Sequence, residues 1–184
     1  MQHLTTTPRD LTTAVRLLHS GAVIVFPTDT SYGLGGLFNS KKVTAAILKI
    51  KGRKDEKFSL IAGSLAQVER FFSLSPAQKK LARQYWPGPL SIVVDRRFSV
   101  RVPANGIARS LARRVGKPLI ATSANLTGQS ALYDSKKIMT LFVNRRYQPA
   151  AIIDDGRLPR RRPSTVVVVS NGKLTVVRRG AITI

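Results

Sequence analysis

Four segments of this 184-residue chain carry side chains suited to holding anions. Pro27-Thr28-Asp29-Thr30-Ser31-Tyr32-Gly33-Leu34-Gly35-Gly36 follows an apolar run, Ala22 to Phe26. A loop of hydroxyls and glycines at the carboxyl end of a buried strand is a common ligand position. The same residues also read as an ordinary turn with hydroxyl self-capping. Lys49, Lys51, Arg53, Lys54 and Lys57 combine mobile point charges with a planar fork, a set that suits a triphosphate. They equally suit a solvated basic helix end facing the helix dipole. Ala121 to Gly128 brings small hydroxyls and Asn125 after another apolar run, able to bind phosphate or sugar edges or simply to turn and cap. Last, Ser164 stands fourteen residues before Arg178. If the intervening chain is a hairpin, both lie at its open end and form an anion pocket; otherwise they are a strand start and an unrelated arginine.

Other chemistry is excluded or unsupported. There are no cysteines, so thiol nucleophiles, disulfides and zinc-thiolate sites are absent. Gly116-Lys117 and Gly172-Lys173 precede Pro and Leu, so neither ends a Walker A loop. Gly33-Leu34-Gly35-Gly36 lacks the spacing of a dinucleotide fingerprint, and there is no Gly-x-Ser-x-Gly elbow. His3 and His19 are isolated, and no paired carboxylates suggest glycosidase or two-metal chemistry, so no protein metal site is expected. Reactions must run on Lys, Arg, hydroxyls, amides and backbone groups.

Charge narrows the partners. With 31 Lys+Arg against 9 Asp+Glu, the formal net charge is +22. Arginines pair along the whole length: Arg96-Arg97, Arg113-Arg114, Arg145-Arg146, Arg160-Arg161-Arg162 and Arg178-Arg179. Such an imbalance repels itself and attracts polyanions, of which nucleotides and RNA are the natural candidates. No apolar run approaches the ~18 residues of a membrane span, and the first residues lack a signal-peptide core, so a cytoplasmic location is expected.

The elements that must position these groups alternate helices with short apolar strands, an α/β or α+β pattern in a single domain spanning residues 1–184. Thr7 caps a first helix with Pro8 at its first position and Leu11, Ala14, Val15 and Leu18 on one face. A strand over Ala22 to Phe26 leads into a turn-rich stretch to Asn39. Ser40 caps a second helix with Val43, Ala46, Ile47 and Ile50 inward, and Lys49 to Lys57 reads as a basic loop. Ser59 to Ala62 is a strand; Ser64 and Ser75-Pro76 start helices. Strands follow over Leu90 to Val94 and Phe98 to Val102, then a helix from Ile107 to Val115, a short strand over Leu119 to Ala121, a helix from Asp134 to Phe142 and a strand over Ala151 to Ile153. The chain ends in a hairpin, Thr165 to Val169 and Lys173 to Arg178, turning at Asn171-Gly172.

In this order the motifs resemble the YrdC/TsaC family of threonylcarbamoyl-AMP synthases. The resemblance runs through Pro27 to Gly35, Lys51-Gly52-Arg53, Trp86-Pro87-Gly88-Pro89-Leu90, Val100-Arg101-Val102-Pro103, Gly116-Lys117-Pro118-Leu119, Thr122 to Gly128, Ser164-Thr165-Val166 and Arg178-Arg179-Gly180. It implies a twisted open mixed sheet with helices on its faces and a basic concave surface, of the short, single-domain type. It implies a nucleotidyltransferase that joins L-threonine, bicarbonate or CO2 and ATP into threonylcarbamoyl-AMP and pyrophosphate. A transfer complex would then pass the threonylcarbamoyl group to tRNA. The implied catalytic set is Lys51, Arg53, Ser123 and Asn125. Arg53, Lys57, Ser123 and Arg178 would contact ATP, with Mg2+ held largely by phosphate and water; Thr30, Arg101 and Ser164 would hold threonine. Asp29 is expected mainly to stabilise its turn.

Lys54, Phe58-Ser59, Arg97 and Asp155-Gly156 depart from the family pattern, and the segment between Pro89 and Arg101 is short. Two other functions fit the residues: a non-catalytic module for double-stranded RNA or tRNA, favoured by the arginine doublets, and carbamoyl-adenylate chemistry on another acceptor.

Overall fold

A computed structural model describes residues 1–170 and 172–184. Asn171, expected in the hairpin turn, lies outside the described residues. Among the described residues, ten strands form one mixed sheet in the order β1-β8-β2-β3-β7-β4-β6-β5-β9-β10. They are β1 (Gln2–Leu4), β2 (Ile24–Pro27), β3 (Tyr32–Leu37), β4 (Phe58–Ile61), β5 (Leu90–Val93), β6 (Phe98–Arg101), β7 (Leu119–Ser123), β8 (Ala151–Ile153), β9 (Thr165–Ser170) and β10 (Lys173–Arg178).

Six helices among the described residues cover the faces: α1 (Pro8–His19), α2 (Lys41–Lys51), α3 (Leu65–Phe71), α4 (Pro76–Tyr85), α5 (Gly106–Val115) and α6 (Ser135–Phe142). Each begins at a residue whose side-chain oxygen accepts from a first-turn amide: Thr7, Ser40, Ser64, Ser75, Asn105 and Asp134. Such a cap is worth about 1 kcal/mol.

The two faces follow from strand alternation. Ile24 and Phe26 of β2, with Ala151 and Ile153 of β8, pack with Ala14 and Leu18 of α1 and Leu111 of α5. Their neighbours Val25 and Ile152 point the other way, into a core with Val43 and Ile47 of α2 and Ile138 and Phe142 of α6. A third cluster joins Ala82 of α4 to Leu90, Ile92 and Val167. Burying each large aliphatic side chain contributes about 1.5–3 kcal/mol.

Three expectations need correction. Gln2–Leu4, given no structure above, forms β1 and pairs in parallel with β8. Its short, largely exposed pattern carries little apolar signal. The stretch read as turn-rich contains β3, whose glycines suppress β-propensity. One of them is required: a Cβ on Gly35 would lie 1.6 Å from the Ile120 carbonyl oxygen of the neighbouring strand. Lys49 and Lys51, read as loop residues, form the last turn of α2, where cations face the carbonyl end of the dipole. Gly52 then ends the helix in the left-handed region at φ 63°.

Candidate active site

The ends of β2, β6, β7 and β10 converge with the segment before β4 and the turn before β9. Together they line an open cavity of about 340 Å³. Seven of the expected site residues line it: Thr30, Arg53, Lys57, Arg101, Ser123, Ser164 and Arg178. They come from widely separated parts of the sequence.

Arg101 occupies the last position of β6 and is almost wholly buried. One guanidinium nitrogen donates to the Asp29 carboxylate; the other donates to Thr28 Oγ1 (3.4 Å) and Thr30 Oγ1 (3.3 Å). The second Asp29 oxygen accepts from the Ala104 amide at 3.2 Å. Asp29 is therefore the counter-ion of a buried arginine, more than the turn stabiliser expected from its loop. A guanidinium has five N–H donors in a fixed fork, so Arg101 is held rigidly with donors to spare for a ligand.

Arg178 forms another part of the wall. Its guanidinium donates to the Ser164 carbonyl (2.9 and 3.1 Å) and to Ser164 Oγ (3.0 Å). Ser164 Oγ also lies 2.9 Å from Ser91 Oγ. The hairpin does bring Ser164 and Arg178 together, because β10 pairs with β9 in the register that sets Arg178 opposite Val166. Burial, and then the positive charge of Arg101, lower the Arg178 pKa. Two guanidinium charges thus face one space, which favours an anion between them.

Arg53 is stapled to its own loop. It donates to the Asp55 carbonyl (2.7 Å), the Asp55 carboxylate (3.1 Å) and the Lys57 carbonyl. These bonds curl residues 53–57 so that Arg53 and Lys57 both reach the cavity.

Lys51 and Asn125 do not line the cavity. The Lys51 ammonium is buried and donates to the carbonyls of Ser123 (2.6 Å) and Asn125 (2.8 Å). Burial, and secondarily the charge of Arg53, pull its pKa down to about 8. Asn125 Nδ2 donates to the carbonyls of Leu126 (2.8 Å) and Gln129 (2.6 Å), and the Thr127 amide donates to the Lys51 carbonyl at 3.1 Å. The Lys51 ammonium, expected in the catalytic set, is engaged here by two carbonyls that fix the end of β7. Ser123 is what this network presents to the cavity.

The lining also includes Ser31, Ser59, Thr122, Tyr133 and Arg161, none of them among the expected site residues. Ser59 was recognisable only as the start of a strand, and Tyr133 and Arg161 lie in irregular segments with no motif. In the doublet Arg113-Arg114, away from the cavity, Arg113 Nε donates to the Gly63 carbonyl (2.9 Å) and Arg114 to Thr12 Oγ1 (2.6 Å).

A family model described as "Telomere recombination" and covering Sua5, YciO and YrdC matches residues 16–180. The chain belongs to the Sua5/YciO/YrdC family. Among its relatives, a threonylcarbamoyl-AMP synthase of Chromobacterium violaceum is 30% identical over 177 residues, covering 88% of this chain and 89% of that protein. In structure, the chain matches P. abyssi Sua5 complexed with L-threonine at a TM-score of 0.85 and 26% identity. That match covers 97% of this chain but only 57% of the Sua5 chain. E. coli YciO matches at a TM-score of 0.84 and 26% identity, covering 97% of this chain and 94% of YciO.

Proposed function

We infer that the chain is a threonylcarbamoyl-AMP synthase, a nucleotidyltransferase using L-threonine, bicarbonate or CO2, and ATP. The observation that carries this reading is the convergence of seven separately encoded residues on one cation-lined cavity in a member of this family. A pure RNA-binding module has no need of a cleft with a buried arginine–carboxylate pair at its wall.

Arg101, Thr30 and Ser164 would hold threonine, with the Arg101 fork on its carboxylate. The neutral threonine amine forms an N–C bond to CO2 and loses a proton to solvent, giving a carbamate. A carbamate oxygen then attacks the α-phosphorus of ATP: a new P–O bond forms, the α–β bridging P–O bond breaks, and pyrophosphate leaves. Arg53, Lys57, Ser123 and Arg178 would contact the nucleotide. The carbamate, the triphosphate and the departing pyrophosphate are all anionic, so the protein's contribution is positioning and charge stabilisation. Lys51 and Asn125 would act through Ser123 by holding the end of β7.

Among the described residues, no three His, Cys, Asp or Glu side chains gather to hold a metal ion. Mg2+ would therefore enter as the counter-ion of ATP, held by phosphate and water. A tRNA or other RNA contact, hand-over of the product to a transfer complex, and a cytoplasmic location complete the reading. The net charge of +22 supports the first. Among the described residues no helix is long and apolar enough to cross a membrane.

The test is to incubate purified chain with Mg2+, ATP, threonine and bicarbonate. Pyrophosphate release with formation of an adenylate is expected only when threonine is present. Release that ignores threonine and bicarbonate would overturn the assignment.

A further inference from the structure

Five cationic side chains line the cavity: Arg53, Lys57, Arg101, Arg161 and Arg178. Two of them are already paired with carboxylates, Arg101 with Asp29 and Arg53 with Asp55. Arg178 is bonded to Ser164. Among the described residues the Arg161 guanidinium has neither an ion pair nor a hydrogen bond, although its backbone is held firmly.

That anchoring is extensive. Upstream, the Asp155 amide donates to the Tyr32 hydroxyl at 2.9 Å, and that hydroxyl donates to the Gly156 carbonyl at 2.8 Å. The Leu158 amide donates to the Tyr133 carbonyl at 2.7 Å. At Arg161 itself, the Tyr133 hydroxyl donates to the carbonyl at 3.1 Å. Downstream, the Pro163 carbonyl accepts from the Ala181 amide at 2.8 Å. Of the three consecutive arginines, only Arg161 lines the cavity; Arg160 and Arg162 do not. The segment therefore places Arg161 at the cavity from a fixed backbone, while its two arginine neighbours are not part of the lining.

We propose that Arg161 binds the β- and γ-phosphates of the nucleotide and holds the departing pyrophosphate. This rests on the nucleotidyl-transfer reading of the cavity. Charge decides between the possible partners. The threonine carboxylate carries one negative charge and already has the Arg101 fork facing it. A nucleoside triphosphate carries about four, and the Arg53 charge is already shared with Asp55, so Arg161 adds to Lys57 and Arg178 a charge that the polyphosphate, and not the threonine carboxylate, can use. Arg161 also reaches the cavity from the segments of Tyr133 and Pro163. Arg53 and Lys57 approach from the segment before β4, so a polyphosphate between them is gripped from two sides. A guanidinium gives bidentate bonds to phosphate oxygens that a lysine cannot.

The experiment is calorimetric titration of the full chain with ATP, AMP and inorganic pyrophosphate. It compares wild type with Arg161→Ala, Arg161→Lys, Arg160→Ala and Arg162→Ala. Because Arg161 is exposed at the rim, the variant is expected to fold, and its melting curve checks this. Arg161→Ala is expected to weaken ATP and pyrophosphate by about tenfold or more and to leave AMP within about twofold. Arg161→Lys should recover part of the loss. Arg160→Ala and Arg162→Ala should bind all three ligands nearly as wild type does. The proposal is overturned if Arg161→Ala binds ATP normally, if it loses AMP as much as ATP, or if the neighbouring arginines matter equally. Wild type that binds ATP but forms no threonine-dependent adenylate would defeat the synthase reading while leaving the Arg161 assignment standing. Wild type that binds neither ATP nor pyrophosphate would defeat both.

Discussion

Arg101 and Asp29, seventy-two residues apart, form a buried ion pair at the wall of the cavity, their side chains only 7% and 4% exposed. The pair joins the end of β6 to the loop after β2. Those strands are not adjacent in the sheet, so this bond fixes the relative position of two loops that the backbone ladder does not connect directly. Thr28, Thr30 and the Ala104 amide satisfy further donors and acceptors around it. Desolvating two charges is costly, and the extra hydrogen bonds are what make the arrangement tolerable.

Removing one member leaves the other charged and buried. Asp29→Ala should lower stability by about 3–5 kcal/mol, read from denaturant unfolding. A loss below about 1 kcal/mol would mean that the pair behaves as a solvated surface bridge.

Arg101→Lys keeps the charge and loses the fork. The apparent requirement for threonine should rise by about tenfold or more, while that for ATP changes little. Steady-state kinetics with each substrate varied in turn separates the two. An unchanged threonine dependence would remove Arg101 from the carboxylate site.

Lys51 should reveal itself in the pH dependence of stability. Its ordinary pKa is 10.5 and burial lowers it to about 8. Between these values the unfolded chain binds the proton and the folded chain does not, so stability rises with pH across that window. The penalty for burying the charge is fully present below about 8 and is relieved as pH climbs towards 10.5. Unfolding free energies measured from pH 7 to 11 should therefore climb relative to a Lys51→Met variant. Parallel curves would show that Lys51 titrates normally.

Gly35→Ala places a methyl group on the Ile120 carbonyl oxygen, at a separation of 1.6 Å. Backbone on a central strand cannot retreat by that distance without opening the β3–β7 ladder. The cost should be about 3 kcal/mol or more, seen as a large fall in melting temperature.

RNA contact, if it uses the free arginines, should involve Arg145 and Arg146, since Arg113 and Arg114 are tied to the protein itself. Arg146 lies 5.4 Å and Lys49 5.6 Å from the ring of Tyr147, an exposed basic and aromatic patch. Arg145→Ala with Arg146→Ala should flatten the slope of log affinity against log salt by ~0.7–0.9 for each phosphate contact removed. Adenylate synthesis should be unaffected. An unchanged slope would clear this patch of any role in RNA binding.

Local signals settled much of this molecule. Thr7, Ser40, Ser64 and Ser75 start helices because a hydroxyl beside an otherwise unpaired amide acts within one turn and needs no partner from elsewhere. The terminal hairpin is likewise short-range, and from it the meeting of Ser164 with Arg178 could be drawn before any fold was known. Pairings over long separations were decided only by the tertiary structure. Asp29 reads as a turn residue until β2 and β6 are set in one sheet, and Lys51 reads as a mobile point charge until the end of β7 is laid across its ammonium. Gly35 looks like flexible loop until a neighbouring carbonyl occupies the space of its missing side chain. Arg161 sits among identical neighbours, and only the anchors on either side determine which of the three faces the cavity. The energies of caps and turns depend on residues a few positions apart; the partner of a buried charge depends on which strands the whole chain brings together.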